Sequence, residues 1–567
     1  MKQTKRRLTA ILLCGLLILS GCGGQNTVED TSSTETASSG NITATTVSAI
    51  DTSSVFSDRD LAGTYDESEA ILITLNGDSA SCGSSSVVMD GSTITITAEG
   101  VYLISGTLND GQIIVNAGDT GKVQLVLAGA DITSSTSAAI YALEADKVFV
   151  TLAEGTENTL TNGGEYAAID DNNIDAVIFA KTDLTLNGSG SLTIVAQAGH
   201  GVVSKDDLVI TGGSYTITAA SHGLDGKDSV AIADGTFAIT SGKDGIHAEN
   251  SDDASLGWLY IQDGSFTITA QGDAISALGT LQINGGTFDL YTGEGSASVD
   301  MTSSDQFGGP MGGGQHGGWT NQTTAPDTQA ASSTQTEEDS TSQKGIKGES
   351  TYAINGGTFN IDSADDCFHA GGEMVIAAGE FTLNSGDDAV HCDDALTIQS
   401  GTFTIPYCYE GIEGLSITIE DGVFDITSND DGLNAAGGAD SSGFGGFGNR
   451  PQDTFAASSD SFILINGGDV TIVSTGDCVD SNGNLTINGG TLNLTCNGSG
   501  NTAIDCDGTY TNNGGDVTTN DGSESNPGQM GGGMGGRAGM ERQTGTAPSG
   551  GRGQDGMTAP GEATQSS

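Results

Sequence analysis

Ile354-Asn355-Gly356-Gly357-Thr358-Phe359-Asn360-Ile361 leads into Asp365-Asp366-Cys367-Phe368-His369. One unit later, Ile376-Ala377-Ala378-Gly379-Glu380-Phe381-Thr382-Leu383 leads into Asp387-Asp388-Ala389-Val390-His391. Apolar alternation, a glycine turn and a pair of acids therefore recur together. The frame returns at Tyr215, Phe237, Phe266, Phe288, Phe359, Phe381, Phe403, Phe424, Val470, Leu492 and Val517, in steps of 21 to 23 residues wherever nothing intervenes. Residues alternating with period two read as strands. A short repeat that cannot bury its own apolar face has to stack on its neighbours. The expected fold is all-β: a right-handed parallel β-helix of three-sided coils of about 22 residues, with an N-terminal β cap. Asn284, Asn355, Asn466, Asn488 and Asn513 each open an Asn-Gly-Gly turn, where positive backbone dihedrals cost little.

Outward from this core, the organisation follows from composition. Lys2, Lys5, Arg6 and Arg7 precede the apolar run Leu8 to Leu19, which reads as a signal segment over 1–21. Leu19-Ser20-Gly21-Cys22 matches a bacterial lipobox, making Cys22 the expected lipid attachment site and residues 22–54 a flexible tether. Residues 55–165 read as the cap with the first coils, and 166–522 as the β-helix. Gly-rich or Ser/Thr-rich loops are expected at 300–343 and 437–457, and a disordered Gly/Met-rich tail at 523–567. The expected location is the extracellular face of the cell membrane, lipid-anchored, with the chain a monomer.

With the four signal-region bases set aside from the 17 Lys and Arg, 13 remain against 74 Asp and Glu, a net charge of −61. Such a surface excludes nucleic acid and anionic lipid as direct partners, leaving the lipid anchor as the only membrane contact. Seven cysteines lie beyond Cys14 and Cys22, and their odd count and spacing suggest neither a disulfide framework nor a zinc site. Cys367 and Cys478 read as small packed residues.

Counting back 15 residues from the marker positions gives one column: His200, His222, Asp273, Lys344, Asp366, Asp388 and Asp477, joined by Asp244, Glu410 and Asp431 once insertions are allowed for. Counting back 12 gives a second: Asp225, Ser276, Lys347, His369, His391, Asp480 and Asp505, joined by His247, Glu413 and Asn434. Carboxylates ~4.8 Å apart repel by about 3.5 kcal/mol at an effective dielectric of ~20. Ca²⁺, which takes several oxygen ligands at once, relieves that repulsion. The candidate calcium ligands are Asp365, Asp366, Asp387, Asp388, Glu410, Glu413, Asp430, Asp431 and Asn434. Asp residues that merely cap turns are the alternative. His369 and His391, separated by stacking and mixed with hard oxygen donors, do not make a zinc site.

Tyr409-Glu410-Gly411-Ile412-Glu413-Gly414 and Asp430-Asp431-Gly432-Leu433-Asn434-Ala435-Ala436-Gly437-Gly438 resemble motifs of an exported bacterial family of carbohydrate-binding domain-containing β-helix proteins. Lys205-Asp206-Asp207-Leu208 and Gly226-Lys227-Asp228-Ser229-Val230 fit it too, so the resemblance spans about residues 60–520. That family is related in fold to pectate-lyase-like polysaccharide lyases. The resemblance implies calcium sites and binding of cell-wall polysaccharide, pectate-like or cellulose-like. Some related lyases use an Asp-Asp-x-x-Asp calcium cluster; here its last position holds His369, His391 or Asn434.

A uronide lyase needs a basic side chain beside the metal, and Lys347 is the candidate, with a counterion role as the alternative. His369, His391, Tyr407 and Tyr409 are the candidate sugar contacts. Three functions follow: calcium-dependent binding of acidic cell-wall polysaccharide, calcium-dependent lyase, or calcium-stiffened surface spacer or adhesin. Binding is favoured, because few bases stand among so many acids.

Overall fold

The computed structural model describes residues 46–164, 166–299, 301, 342–436 and 460–527. The signal segment, Cys22, most of the tether, nearly all of both expected loops and most of the tail lie outside the described residues.

The described chain is all-β apart from a five-residue helix, Asp58–Ala62, and two 3-10 turns. Each repeat from about residue 180 onward contributes three strands, and each strand pairs in parallel with its counterparts in the repeats before and after. The first stack carries the marker aromatics: Ser214–Ala219 pairs with Thr236–Ser241, and that strand with Ser265–Ala270. These strands alternate exposed and buried residues without a break, as the sequence pattern demands. The second stack comprises short strands such as Ile346–Gly348 and Phe368–Ala370, and the third includes Leu281–Ile283 and Tyr352–Ile354.

Because the repeats lie in register, like residues stack on like. Phe237, Phe266, Phe288, Phe359, Phe381, Phe403 and Phe424 form a continuous column, with neighbouring centroids 4.4 to 5.1 Å apart and rings within 10° of parallel. Such contacts add about 0.5–1.5 kcal/mol each beyond the burial of their area. At the corner before this column, Asn355 donates Nδ2 to Asn284 Oδ1 at 2.8 Å, and Asn488 to Asn466 at 2.7 Å. Gly379, at φ 149°, shows why the turn needs glycine: an added Cβ would lie 2.6 Å from the Phe381 ring.

At the N-terminal end the strands are less regular, and stacking begins earlier than the weak repeat suggests. Ile71–Gly77 already pairs in parallel with Gly100–Leu108, which pairs with Lys122–Ser134. The two antiparallel pairings among the described residues occur here: Ile71–Gly77 with Ala80–Cys82, and Val87–Asp90 with Thr93–Ile96. The helix begins with a capping box between Ser57 and Asp60. Asp60, 2% exposed, then reaches Lys147 Nζ at 2.8 Å and accepts from Thr185 Oγ1 at 2.6 Å. Residues 47–50, at the end of the expected tether, dock on the repeats: Val47 N donates to Asn355 Oδ1, and Ala49 N and Ile50 N to Gln282 Oε1. Cys367 and Cys478 are buried and unpaired.

Candidate cation-binding ladder

Both columns counted in the sequence exist as physical ladders beside the second stack. Strand register places Asp225, His247, Ser276, Lys347, His369, His391, Glu413, Asn434 and Asp480 directly over one another. The other column lies just before each strand. Its backbone carbonyls accept from the repeat below, as in Gly345 N to Asp366 O and Cys367 N to Asp388 O. Gly411 N to Asp431 O continues the series.

Side-chain chemistry divides the ladder into three segments. The middle one holds most of the expected calcium ligands, and protein cations meet them there. Lys344 Nζ lies 2.9 Å from Asp365 Oδ1 and 2.6 Å from Asp366 Oδ2. The His369 ring meets the same Asp366 oxygen at 2.9 Å. Burial alone would raise the Asp366 carboxyl, but Lys344, His369 and His391 together hold it well below the usual range. His391 Nδ1 sits 2.9 Å from Asp388 Oδ2 and 3.0 Å from Glu413 Oε2, with Nε2 3.1 Å from Asp393 Oδ1. Against the desolvation that favours the neutral ring, its contacts with Asp388, Asp393 and Glu413 raise His391 well above its usual value, while burial and then the Asp387 and Glu413 charges raise Asp388 as well. Asp365, Asp366 and Asp387 have ligand atoms within 4.8 Å of one another, but an ammonium already bridges the first two.

Above Glu413 the chemistry changes. From residue 392 to 527, no described residue is Lys, Arg or His. Asn434, 1% exposed, donates Nδ2 to Glu410 Oε2 at 2.9 Å, while its Oδ1 is buried without a hydrogen-bond partner. Asp431 lies in the neighbouring column; burial, then Asp430, Asp480 and Asp477, push its carboxyl well above the ordinary value. Asp477 is pushed up to about 7, first by burial and then, among its neighbours, by Asp480 and Asp505. Asp477, Asp480 and Asp505 bring ligand oxygens within 4.8 Å of one another. An orphaned buried amide oxygen beside mutually repelling carboxylates is an all-oxygen donor set that fits a hard divalent cation. The sequence count held these three residues in its columns. Weight given to adjacent Asp-Asp pairs passed over them, although the register was the sufficient signal.

Below Lys344 the ladder turns to imidazole. His200 stacks on His222 at 5.0 Å, and His222 on His247 at 4.4 Å. Burial lowers His200 to about 4 and His222 to about 3. His247 is driven up to about 10, since burial is outweighed by its close contacts with the Asp244 and Glu249 carboxylates. Asp273 rises to about 7 through burial and the nearby Asp244 charge.

The expected sugar contacts differ in burial. His369 and His391 are buried, 6% and 2% exposed, and locked to carboxylates. Tyr407 and Tyr409 are half-buried in the repeat above. Lys347 pairs with Glu349 at 2.6 Å. Its burial is outweighed by Asp273 and Glu349, so it stays an ammonium, as suits a counterion. Trp258 lines a hollow of about 210 Å³ with Ala49, Ile50 and Leu256. That is below the ~300–1,000 Å³ of enclosed ligand sites.

The carbohydrate-binding domain-containing protein family has a sequence profile that matches residues 90–389 and 388–533. The chain belongs to that family. A carbohydrate-binding domain-containing protein of Acetivibrio thermocellus is 43% identical over 128 residues, covering 22% of this chain and 45% of the relative. This chain thus spans less than half the length of that relative. A polysaccharide lyase-like protein from C. thermocellum, solved as a gadolinium derivative, is 36% identical. The likeness covers 40% of this chain and 92% of that one, with a TM-score of 0.39.

Proposed function

We propose that the chain is a right-handed parallel β-helix that binds acidic cell-wall polysaccharide through Ca²⁺ held on its second-stack ladder. A lipid on Cys22 would display it at the extracellular face of the cell membrane as a monomer. The observation that carries the calcium reading is Asn434: a buried amide oxygen without a donor, on a strand that pairs it in register with Asp480, whose carboxylate is grouped with those of Asp477 and Asp505. Asp431, Asn434, Asp477 and Asp480 are the central ligands of this reading. Asp388, Glu410, Glu413 and Asp430 adjoin them. Asp365, Asp366 and Asp387 contribute least, because Lys344 bridges the first two of these acids.

Charge makes the cation a condition for an acidic partner. A chain of net charge −57 repels polyuronate unless a divalent ion bridges carboxylate to carboxylate. Binding is preferred to cleavage because Lys347 is paired and held protonated, which suits neither abstraction of a proton nor a free base beside the metal.

Retention on polygalacturonate is the test. Calcium-dependent retention that chelator abolishes, with no absorbance from unsaturated product, is the expected result. Product formation that disappears in Lys347→Ala would establish a lyase instead. Absence of retention on any glycan, with chelator lowering only the melting temperature, would leave a spacer.

A further inference from the structure

The function proposed above makes no use of the imidazole end of the ladder, and its geometry is unlike that of the His369/His391 pair. There, the two rings meet different carboxylates: His369 meets Asp366, and His391 meets Asp388, Glu413 and Asp393. At the lower end, two rings converge on one atom. His222 Nδ1 lies 3.5 Å and His247 Nδ1 2.8 Å from the same oxygen, Asp244 Oδ2. The three ligand atoms lie within 4.8 Å of one another.

We propose that His222, Asp244 and His247 form a binding site for a divalent transition cation of the Zn²⁺ type, separate from the calcium ladder. Two nitrogens and one carboxylate oxygen favour a borderline ion over Ca²⁺, which prefers six or more oxygens. Ligands ~2.0–2.2 Å from a shared tetrahedral ion stand about 3.3 Å apart. The His222–Asp244 separation, 3.5 Å, has to close by about 0.2 Å to reach that value, and the His247–Asp244 contact, 2.8 Å, has to open by about 0.5 Å.

The surrounding groups are arranged as a metal site needs. His247 Nε2 lies 3.2 Å from Glu249 Oε2, so its second nitrogen is oriented by a carboxylate. Asp244 Oδ1 accepts from Asp273 N at 2.9 Å, which fixes the carboxylate and leaves Oδ2 facing the rings. His200, stacked beneath His222, has a buried Nδ1 without a hydrogen-bond partner. The ligand side chains are 14%, 10% and 17% exposed, so a water can reach a fourth position. The Asp244 amide donates to His222 Nδ1 over a long 3.3 Å, and metal binding replaces that bond. Asp225 and Glu249 add negative charge nearby; Lys205 and Lys243 oppose it.

Calorimetric titration of the full, tag-free chain with Zn²⁺, and the visible spectrum with Co²⁺, test the site. Expected is saturable Zn²⁺ binding that excess Ca²⁺ does not displace, together with an intense Co²⁺ band typical of low coordination. His222→Ala and His247→Ala should each weaken it ~tenfold or more, while His369→Ala leaves it unchanged. Should an alanine variant lose the β-sheet circular dichroism, His247→Gln, which retains size and a hydrogen bond to Glu249, is read in the same way. Zn²⁺ affinity insensitive to these substitutions, or displaced by Ca²⁺, overturns the assignment.

Discussion

At the residue scale, the raised carboxyls make a claim about pH. Asp273 and Asp477 stand at about 7 in the folded chain, above the ordinary 3.8. The folded state therefore holds these protons more tightly than the unfolded chain does. Their contribution is intact below the unfolded value and is lost as pH rises towards 7. Asp206, raised to about 6, and Asp388 and Asp431, raised well above the ordinary value, add to this loss. His200 and His222, lowered to about 4 and 3, oppose it because the unfolded chain binds their protons through the same window. Carboxyls held low, such as Asp366, finish titrating below it. In chelator, the melting temperature should fall between about pH 4 and pH 7, and Ca²⁺ should flatten the fall. A pH dependence in chelator that is the same in Asp477→Asn as in the parent chain contradicts the assigned repulsion. Lys344 makes the converse case, being 2% exposed and set between Asp365 and Asp366. Lys344→Ala takes the ammonium from the buried Asp366 carboxylate, leaving it, among the described residues, only the imidazoles of His369 and His391, and should cost about 3–5 kcal/mol in urea unfolding. Added Ca²⁺ should restore part of that loss, because the vacated space then has the oxygens of Asp365, Asp366 and Asp387 around it. No recovery with Ca²⁺ would mean that those acids cannot act as ligands even when freed.

At the element scale, the strands and turns were legible because two periods coincide: alternation within a strand and about 22 residues between strands. The Phe column follows from both. Phe381, 2% exposed, lies 5.1 Å from Phe359 and 4.4 Å from Phe403. Phe381→Ala should destabilise by about 3–5 kcal/mol, because rigid neighbours above and below prevent the cavity from collapsing. Urea unfolding measures this; a loss below about 1 kcal/mol would mean that the repeats shift to close the gap. Other elements were not legible. The Asp58–Ala62 helix is short and outside the repeat, and the burial of Asp60 depends on Lys147 and Thr185, which belong to distant repeats. The same limit applies to the ladder. Counting gave the slot of Lys344 correctly but not its atoms, so an ammonium bridging two acids was indistinguishable from a counterion or a base. Convergence of His222 and His247 on one Asp244 oxygen is likewise a matter of side-chain direction, about which a register count is silent.

At the scale of the whole molecule, charge and architecture act together. Stacking converts a modest density of acids into a line, and the chain as a whole carries 74 Asp and Glu against 17 Lys and Arg. Monovalent salt screens such a line beyond ~8–10 Å but cannot join two carboxylates. Mg²⁺ demands an octahedron at ~2.0–2.1 Å and sheds water reluctantly, whereas Ca²⁺ tolerates irregular sets at ~2.3–2.6 Å. The ladder oxygens are set by the spacing of the repeats, so they cannot contract around the smaller ion. Retention on polygalacturonate should therefore rise with Ca²⁺ and remain low with equivalent Mg²⁺ or with NaCl at matched ionic strength. Asp431→Asn and Asp477→Asn should lower the calcium response without altering the β-sheet signal, since each keeps an acceptor for the backbone amide above it. Equal retention with NaCl would reduce the cation to screening, and equal retention with Mg²⁺ would place the bridging ion on exposed, adaptable acids outside the ladder.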